Sequence, residues 1–557
     1  MDKKTIVIIV FCVILILFWG KIAEYLGIVK PAPQPTQVQQ PVTDTIFIDT
    51  LTPPLPTIDT ATPVMAAIMP IDSTIPKKIV RVSTPLYEMN LTNYGGGISS
   101  MVLRNYQYQG NGNVILAESS DKIVPNIESL EGRFSANRLV FQCDESDFEL
   151  RTGEPARTIR FVYDNGKGGR IVKSYTINPD RYDIAFDVAI EGIESFGLER
   201  DYRLVWDITP PPTEKNLDDD YGYFKVVAMM DKHVELSDFE NGRMQEDIPG
   251  RTLWAGIRTK YFAAIMIPRS RDGEGAVARG TEQKELIAGK SIKTRDLAAA
   301  VTMSIPSYGS VSDSYTLYAG PIHYKTLKGY NIGLEELTSL GWVIIKPFSI
   351  AIIWLLPKIY SIIPNYGVVV LIFALLIKVI IYPLTRKQTI AMTKLKDLQP
   401  RMKKLQERYK TDPAKLNKEM MKLYKEAGAN PLSGCLPLLP QMPLFFALFT
   451  VFRTTIEFRG ASFVWWITDL SVKDPYYILP IIMTVTMFIQ QKMTMTDPKN
   501  KMLVYMMPLL FGWLFMNFPS GLVLYWTGFN ILSLLETIFI RNRMLEEPAV
   551  IVEEEKE

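Results

Sequence analysis

A chain of 557 residues is too long for one ordinary domain, and its 47% hydrophobic content is unevenly spread, so a membrane part and a soluble part are expected. The net charge of +2 selects no partner; no cofactor and no direct contact with DNA are expected. Three scattered cysteines (Cys12, Cys143, Cys435) give no CxxC pair and no disulfide framework, and two histidines (His233, His323) leave metal sites and His-based triads poorly supplied.

Residues 1–28 begin MDKKTIVIIVFCVILILFWGK, a basic flank before about fifteen apolar residues, the pattern of a cleaved signal peptide or a retained anchor. No small-residue cleavage site follows, so an uncleaved transmembrane helix with its N-terminus in the cytoplasm is expected. Residues 29–77, rich in Pro, Thr and Gln, cannot bury a core and read as a semi-rigid linker. Across 78–335 the pattern becomes short runs of period two (KIVRVST, YEMNLTN, RIVKSYTI, YDIAFDVAI, RLVWDI, KYFAAIMI) divided by turn signals such as YGGGIS, DNGKGG and NPDR. This predicts a soluble antiparallel β-sandwich outside the membrane. Its scattered acids read as a solvated face, with no paired carboxylates marking a catalytic cleft.

Residues 336–365 include an apolar stripe at 345, 348, 352, 356, 359 and 363, interrupted by Lys346, Pro347, Pro357 and Lys358. A spanning helix here would place the basic segment after 385 on the outer face, against the positive-inside rule, so an amphipathic helix lying in the interface is expected. The first span of a five-span core over 366–543 then runs inward from Tyr366. Thirteen Lys or Arg stand against five Asp or Glu between 385 and 430. Two heptad seams there (Leu395, Leu398, Met402, Leu405, Tyr409; then Leu416, Met420, Leu423, Ala427) predict a cytoplasmic coiled hairpin. Asp412 supplies an N-cap, Pro413 a first helical residue and Gly428 a stop.

The remaining spans are 432–452, 476–490, 502–518 and 521–540. Of these, 476–490 offers only about 22 Å of helix against a hydrocarbon core near 30 Å, a mismatch relieved by thinning the bilayer or admitting water. Six spans with both termini inside put the basic ends on the cytoplasmic side. The acidic tail 544–557 follows.

One lysine, Lys378, lies inside a span. Such a charge costs roughly 2.5–3.5 kcal/mol at mid-bilayer and marks either a functional polar interior or a side chain snorkelling to the near interface. By helix rise Glu536 shares its depth, so the two charges are expected to face one cavity. Gln441, Asn530 and Ser533 add polar groups that also serve as ordinary interhelical hydrogen-bonding residues.

The run IYPLTRKQ after Lys378, the hairpin ending LYKEAGANPLSGCLPLLPQMPLF, the connector DLSVKDPYYILPIIMTVTMFIQQKM and the loop FPSGLVLYW resemble the YidC/Oxa/Alb membrane protein insertases. In the β region, YEMNLTNYGGGISSMVLRNYQ and LYAGP resemble the Gram-negative type. The resemblance implies an anchor helix and a five-helix core around a hydrophilic groove, with a periplasmic β-supersandwich, in the bacterial inner membrane. It implies insertion of nascent membrane proteins, alone or with the Sec translocon, with no chemical reaction or nucleotide hydrolysis. The groove cation of the family falls at Lys378, and with it the candidate groove and client-contact residues are Gln441, Tyr525, Trp526, Asn530 and Glu536. Two features depart from the family pattern. Its groove cation is typically arginine, and lysine lacks the bidentate fork. The acidic end VEEEKE replaces a basic tail, leaving any ribosome contact to the hairpin and the connector 492–501. Other readings of the same residues are a transporter with a Lys378–Glu536 charge relay, disfavoured by the lack of an inverted repeat, and an anchored carbohydrate-binding or mutarotase-like protein.

Overall fold

The computed structural model describes residues 75–546 except 109–111, 119–121, 131–132, 199, 237, 288–289, 427–437 and 495–500. The expected anchor 1–28, nearly all of the linker, Gly428 and the tail beyond 546 lie outside the described residues.

Strand formation follows the alternation of apolar residues. In Asp183–Glu191, Ile184, Phe186, Val188 and Ile190 point inward and are fully buried; in Arg170–Ile177 the inward row is Ile171, Lys173, Tyr175 and Ile177. Each buried aliphatic or aromatic side chain contributes about 1.5–3 kcal/mol. Among the described residues the strands form three sheets of five, five and eight strands. The eight-stranded sheet pairs 157–164, 170–177, 183–191 and 310–321 antiparallel, then continues through 262–268, 254–258, 225–229 and 233–236. A row of rings, Phe161, Tyr175, Phe186 and Tyr315, crosses it at centroid distances of 6.0, 4.9 and 6.1 Å, the cross-strand pairing that pins register. The sheets share one core, which includes Tyr87, Trp206 and Tyr261. At the YGGGIS signal, Gly95 and Gly96 take φ of 74° and 58° where the chain turns between strands 87–92 and 97–107, a conformation glycine adopts without a Cβ clash.

Ten α-helices occur among the described residues. Two are short and lie with the sheets, α1 (Leu217–Tyr221) and α2 (Tyr324–Lys328). Then follow α3 (Lys346–Tyr360), α4 (Tyr366–Asp397), α5 (Gln399–Arg408), α6 (Pro413–Glu426), α7 (Leu438–Thr454), α8 (Ile478–Thr494), α9 (Lys501–Phe515) and α10 (Ser520–Glu546). Helix α3 buries Ser349, Ile352 and Leu356 and packs on α7, leaving Phe348 and Trp354 exposed. Its apolar stripe is therefore divided between a protein-facing and an outward face.

Among the described residues two segments are long and apolar enough to cross a membrane, Tyr366–Arg386 and Ser520–Ile540, each of 21 residues or about 31 Å. Apolar segments Ile478–Met493 and Tyr505–Phe515 are shorter. Helix α4 continues through Thr385 to Asp397 and gives way to α5 only at Leu398, with Pro400 in the first turn of α5. The first heptad seam thus crosses two helices, the break falling at Leu398 just before Pro400, which has no N–H to carry the hydrogen-bond ladder of α4 onward. In the second half of the hairpin Asp412 Oδ1 accepts the Lys415 N–H at 3.0 Å, and Met402 and Leu423 are buried.

Candidate functional site

Helices α4 and α10 pack along one another, and their shared seam holds the buried charges. The Lys378 ammonium lies 2.5 Å from Glu536 Oε2 and donates to Ser533 Oγ at 2.7 Å. It also sits 5.0 Å from the centre of the Phe529 ring. The other carboxylate oxygen of Glu536 accepts from Thr385 Oγ1 at 2.8 Å. Lys378 is 7% exposed. Helix geometry explains the set: Phe529, Ser533 and Glu536 recur at spacings of four and three on one face of α10, and Thr385 stands two turns beyond Lys378 on one face of α4. Ser533 Oγ in turn donates to the Phe529 carbonyl at 2.8 Å.

The other expected groove residues divide around this pair. Tyr525 is fully buried, its ring 6.0 Å from Phe373 of α4 and 6.0 Å from Phe529, on the Lys378 side of α10. Its hydroxyl and the Asn530 Nδ2 are buried and find no hydrogen-bond partner among the described residues. Trp526 turns elsewhere, packing on Phe445 of α7 at 5.4 Å and Phe515 of α9 at 5.8 Å. Gln441 is half-buried near the start of α7, and no described hydrogen bond joins it to the pair. Thr385 and Phe529 were not singled out from sequence; spacings of seven from Lys378 and of seven and four from Glu536 and Ser533 carry that signal.

A second polar cluster fastens the β domain to the helices. Arg459, just beyond α7, donates from Nε to Glu214 Oε1 at 2.6 Å and from a terminal nitrogen to the carbonyls of Gln107 and Thr213. Arg453, in the last turn of α7, pairs with Asp219, which also accepts from Lys260 Nζ at 2.8 Å. Tyr261 donates to the Arg453 carbonyl at 3.0 Å. Burial pushes the Glu214 carboxyl up against the pull of Arg459. Burial acts the same way on Asp219, but Lys260 and Arg453 hold it below the usual carboxylate range. Asp220, whose Oδ2 accepts the Thr213 and Glu214 N–H groups, is pushed up by burial to about 7.

A sheet-rich domain clamped to a bundle of apolar helices with a buried ion pair in its long-helix seam defines an integral membrane protein with a large extramembrane part. Residues 79–353 match the YidC periplasmic domain and residues 358–547 match the 60Kd inner membrane protein family. Membrane protein insertase YidC of Syntrophus aciditrophicus is 31% identical over 560 residues, covering 98% of this chain and 100% of that protein. The protein of the same name from Chlorobaculum parvum is 35% identical over 502 residues, covering 85% and 84%. A crystal structure of an active YidC insertase with its first transmembrane domain resolved aligns over 85% of this chain and 95% of its own, at 20% identity and a TM-score of 0.37. The chain belongs to the YidC family of membrane protein insertases, integral membrane proteins with a periplasmic domain, and its function is membrane protein insertion.

Proposed function

We propose that this chain inserts nascent membrane proteins by way of the α4–α10 seam, with Lys378 as the cation that a client's polar end meets. The observation that carries the reading is the buried Lys378–Glu536–Ser533–Thr385 cluster, because an ionisable group at membrane depth is costly even when paired and by default marks a functional polar interior. Tyr525 and Asn530, buried with unsatisfied polar atoms, extend the polar path, and Gln441 and Trp526 border its α7 side. The pair parts as a client enters, and water and client groups replace it. The client's apolar segment then leaves sideways along exposed side chains such as Ile481, Val485, Leu509 and Trp513. Burial of apolar client surface, at about 25 cal/mol per Å², drives the exchange without nucleotide.

The domain limits that accompany this reading are an anchor at 1–28, a linker at 29–77, a periplasmic domain at 78–335, an interfacial helix at 336–365, the core at 366–543 and a tail at 544–557. The chain sits in the bacterial inner membrane with both termini in the cytoplasm. It works alone or beside the Sec translocon, and the cationic hairpin α5–α6 is the surface offered to ribosomes. The test is insertion of a client with a short acidic N-tail into proteoliposomes holding wild type, Lys378→Ala or Lys378→Arg. Activity retained by arginine and lost by alanine supports the reading; full activity of the alanine variant removes the cation from the mechanism.

A further inference from the structure

The segment joining α7 to α8 folds into a tight turn whose side chains divide sharply between interior and surface. The Phe463 N–H donates to the Ile467 carbonyl at 2.9 Å, and the Ile467 N–H donates to the Val464 carbonyl at 2.6 Å, leaving Val464, Trp465 and Trp466 at the bend. Phe463 is wedged against the first turn of α4, where a Cβ added to Gly367 would lie 2.0 Å from its ring, and Asn365 Nδ2 reaches the Phe463 carbonyl at 3.4 Å. Ile467 and Leu470 are buried in the helical core, against which Trp466 also packs. The Leu470 carbonyl accepts the Gly521 N–H at 2.9 Å and the Asp469 carbonyl accepts Ser520 Oγ at 3.0 Å. The turn is thus pinned to the first turns of α4 and α10, the two helices among the described residues that are long enough to cross the membrane. Trp465 at its tip is 96% exposed.

We propose that the Val464–Trp465 turn is a built-in contact with the outer leaflet, its indole seated at the boundary between lipid headgroups and acyl chains. The position follows from the pins: Tyr366 and Ser520 begin the two spans on the side where Arg453 and Arg459 meet the periplasmic domain, so the turn lies level with the outer membrane surface. The occupant follows from chemistry. An indole is apolar in body with one polar N–H, the combination that gathers at membrane interfaces, and here it is presented by a backbone already fixed, so little ordering entropy opposes its insertion. Tyr476, exposed on the same segment just before α8, adds a second aromatic at that level. The consequence concerns the short helices. Helix α8 has 17 residues, about 25 Å, and an aromatic contact at its outer end fixes the depth at which it starts. The bilayer must then thin around the α8–α9 side. This inference rests on membrane residence and is independent of Lys378.

The test uses the full chain with Cys12 and Cys435 replaced by serine and Cys143 by alanine, carrying Trp465→Cys or, as reference, Tyr308→Cys, which is 77% exposed on the periplasmic domain. Each is labelled with an environment-sensitive fluorophore and reconstituted in phosphatidylethanolamine–phosphatidylglycerol vesicles containing nitroxide lipids. The label at 465 is expected to emit to the blue of that at 308, to be quenched more by a headgroup-level nitroxide than by a deep one, and to be shielded from aqueous iodide. Iodide quenching equal to that at 308, or protection from both iodide and lipid nitroxide as a protein contact would give, overturns the proposal. Thermal unfolding of Trp465→Ser at the wild-type temperature separates a lipid contact from a structural role.

Discussion

Consider replacement of Glu536 by glutamine, of Lys378 by methionine, and of both. At 2.5 Å the two charges attract by about 7 kcal/mol at an effective dielectric near 20. Removing each ion from water costs several kcal/mol, so the intact pair contributes little net stability. Single replacements differ. Glu536→Gln keeps an acceptor oxygen but removes the compensating charge, leaving an uncompensated ammonium that is 7% exposed, and Lys378→Met leaves a buried carboxylate with Thr385. Breaking one side of such a pair costs about 3–5 kcal/mol, whereas replacing both costs little. Denaturant unfolding of the purified full chain in detergent is therefore expected to show two destabilised single variants and a double variant near wild type, with coupling of about 3 kcal/mol or more. Additive losses in the double variant would refute the pairing. Insertion by the stable double variant then addresses function: if it inserts acidic-tailed clients at the wild-type rate, the cation serves packing alone.

At the periplasmic joint, Arg459→Ala strands the buried Glu214 carboxylate and two carbonyls. A loss of about 3–5 kcal/mol is expected, read as faster hydrogen exchange across 213–223 with the sheet core unchanged; unchanged exchange there defeats the clamp. Asp220 gives a pH signature. Its folded value near 7 lies above the ordinary 3.8, so the folded state binds the extra proton, and the stabilisation is full below about 4 and is lost as pH rises through 7. Asp220→Asn, which keeps an acceptor for Thr213 and Glu214, is expected to flatten that part of the stability–pH curve; an unaltered slope counts against it. Where α8 and α9 cross, a Cβ at Gly512 would meet Thr484 Oγ1 at 2.2 Å. Gly512→Ala should cost about 1–3 kcal/mol by overpacking, relieved in Gly512→Ala/Thr484→Ala; no relief means the helices separate instead.

Local periodicity carried the β domain, because its strands show one face to the core: the runs RIVKSYTI and YDIAFDVAI alternate in sequence as they alternate in burial. It also carried the turn at Asp412–Pro413, whose cap needs only neighbouring residues. What escaped it depends on direction or distance. Tyr525 and Trp526 are adjacent, yet about 100° of helix rotation separates them, enough to send one toward α4 and the other to α7 and α9; rise per residue gives depth and says nothing of azimuth. The same rise put Lys378 and Glu536 at one level, but the adjacency of α4 and α10, on which every contact of the pair depends, is set by packing among residues 151 or more positions apart. The joint of Glu214 and Asp219 with Arg459 and Arg453 spans separations of 245 and 234 residues. No local motif records it, and in sequence those four charges look like ordinary solvated ones. Its structural logic is apparent only once the periplasmic domain is docked: two arginines at the outer end of α7 cannot be withdrawn from water unless carboxylates from another domain meet them. The docking therefore fixes the orientation of that domain and the outer end of α7 together.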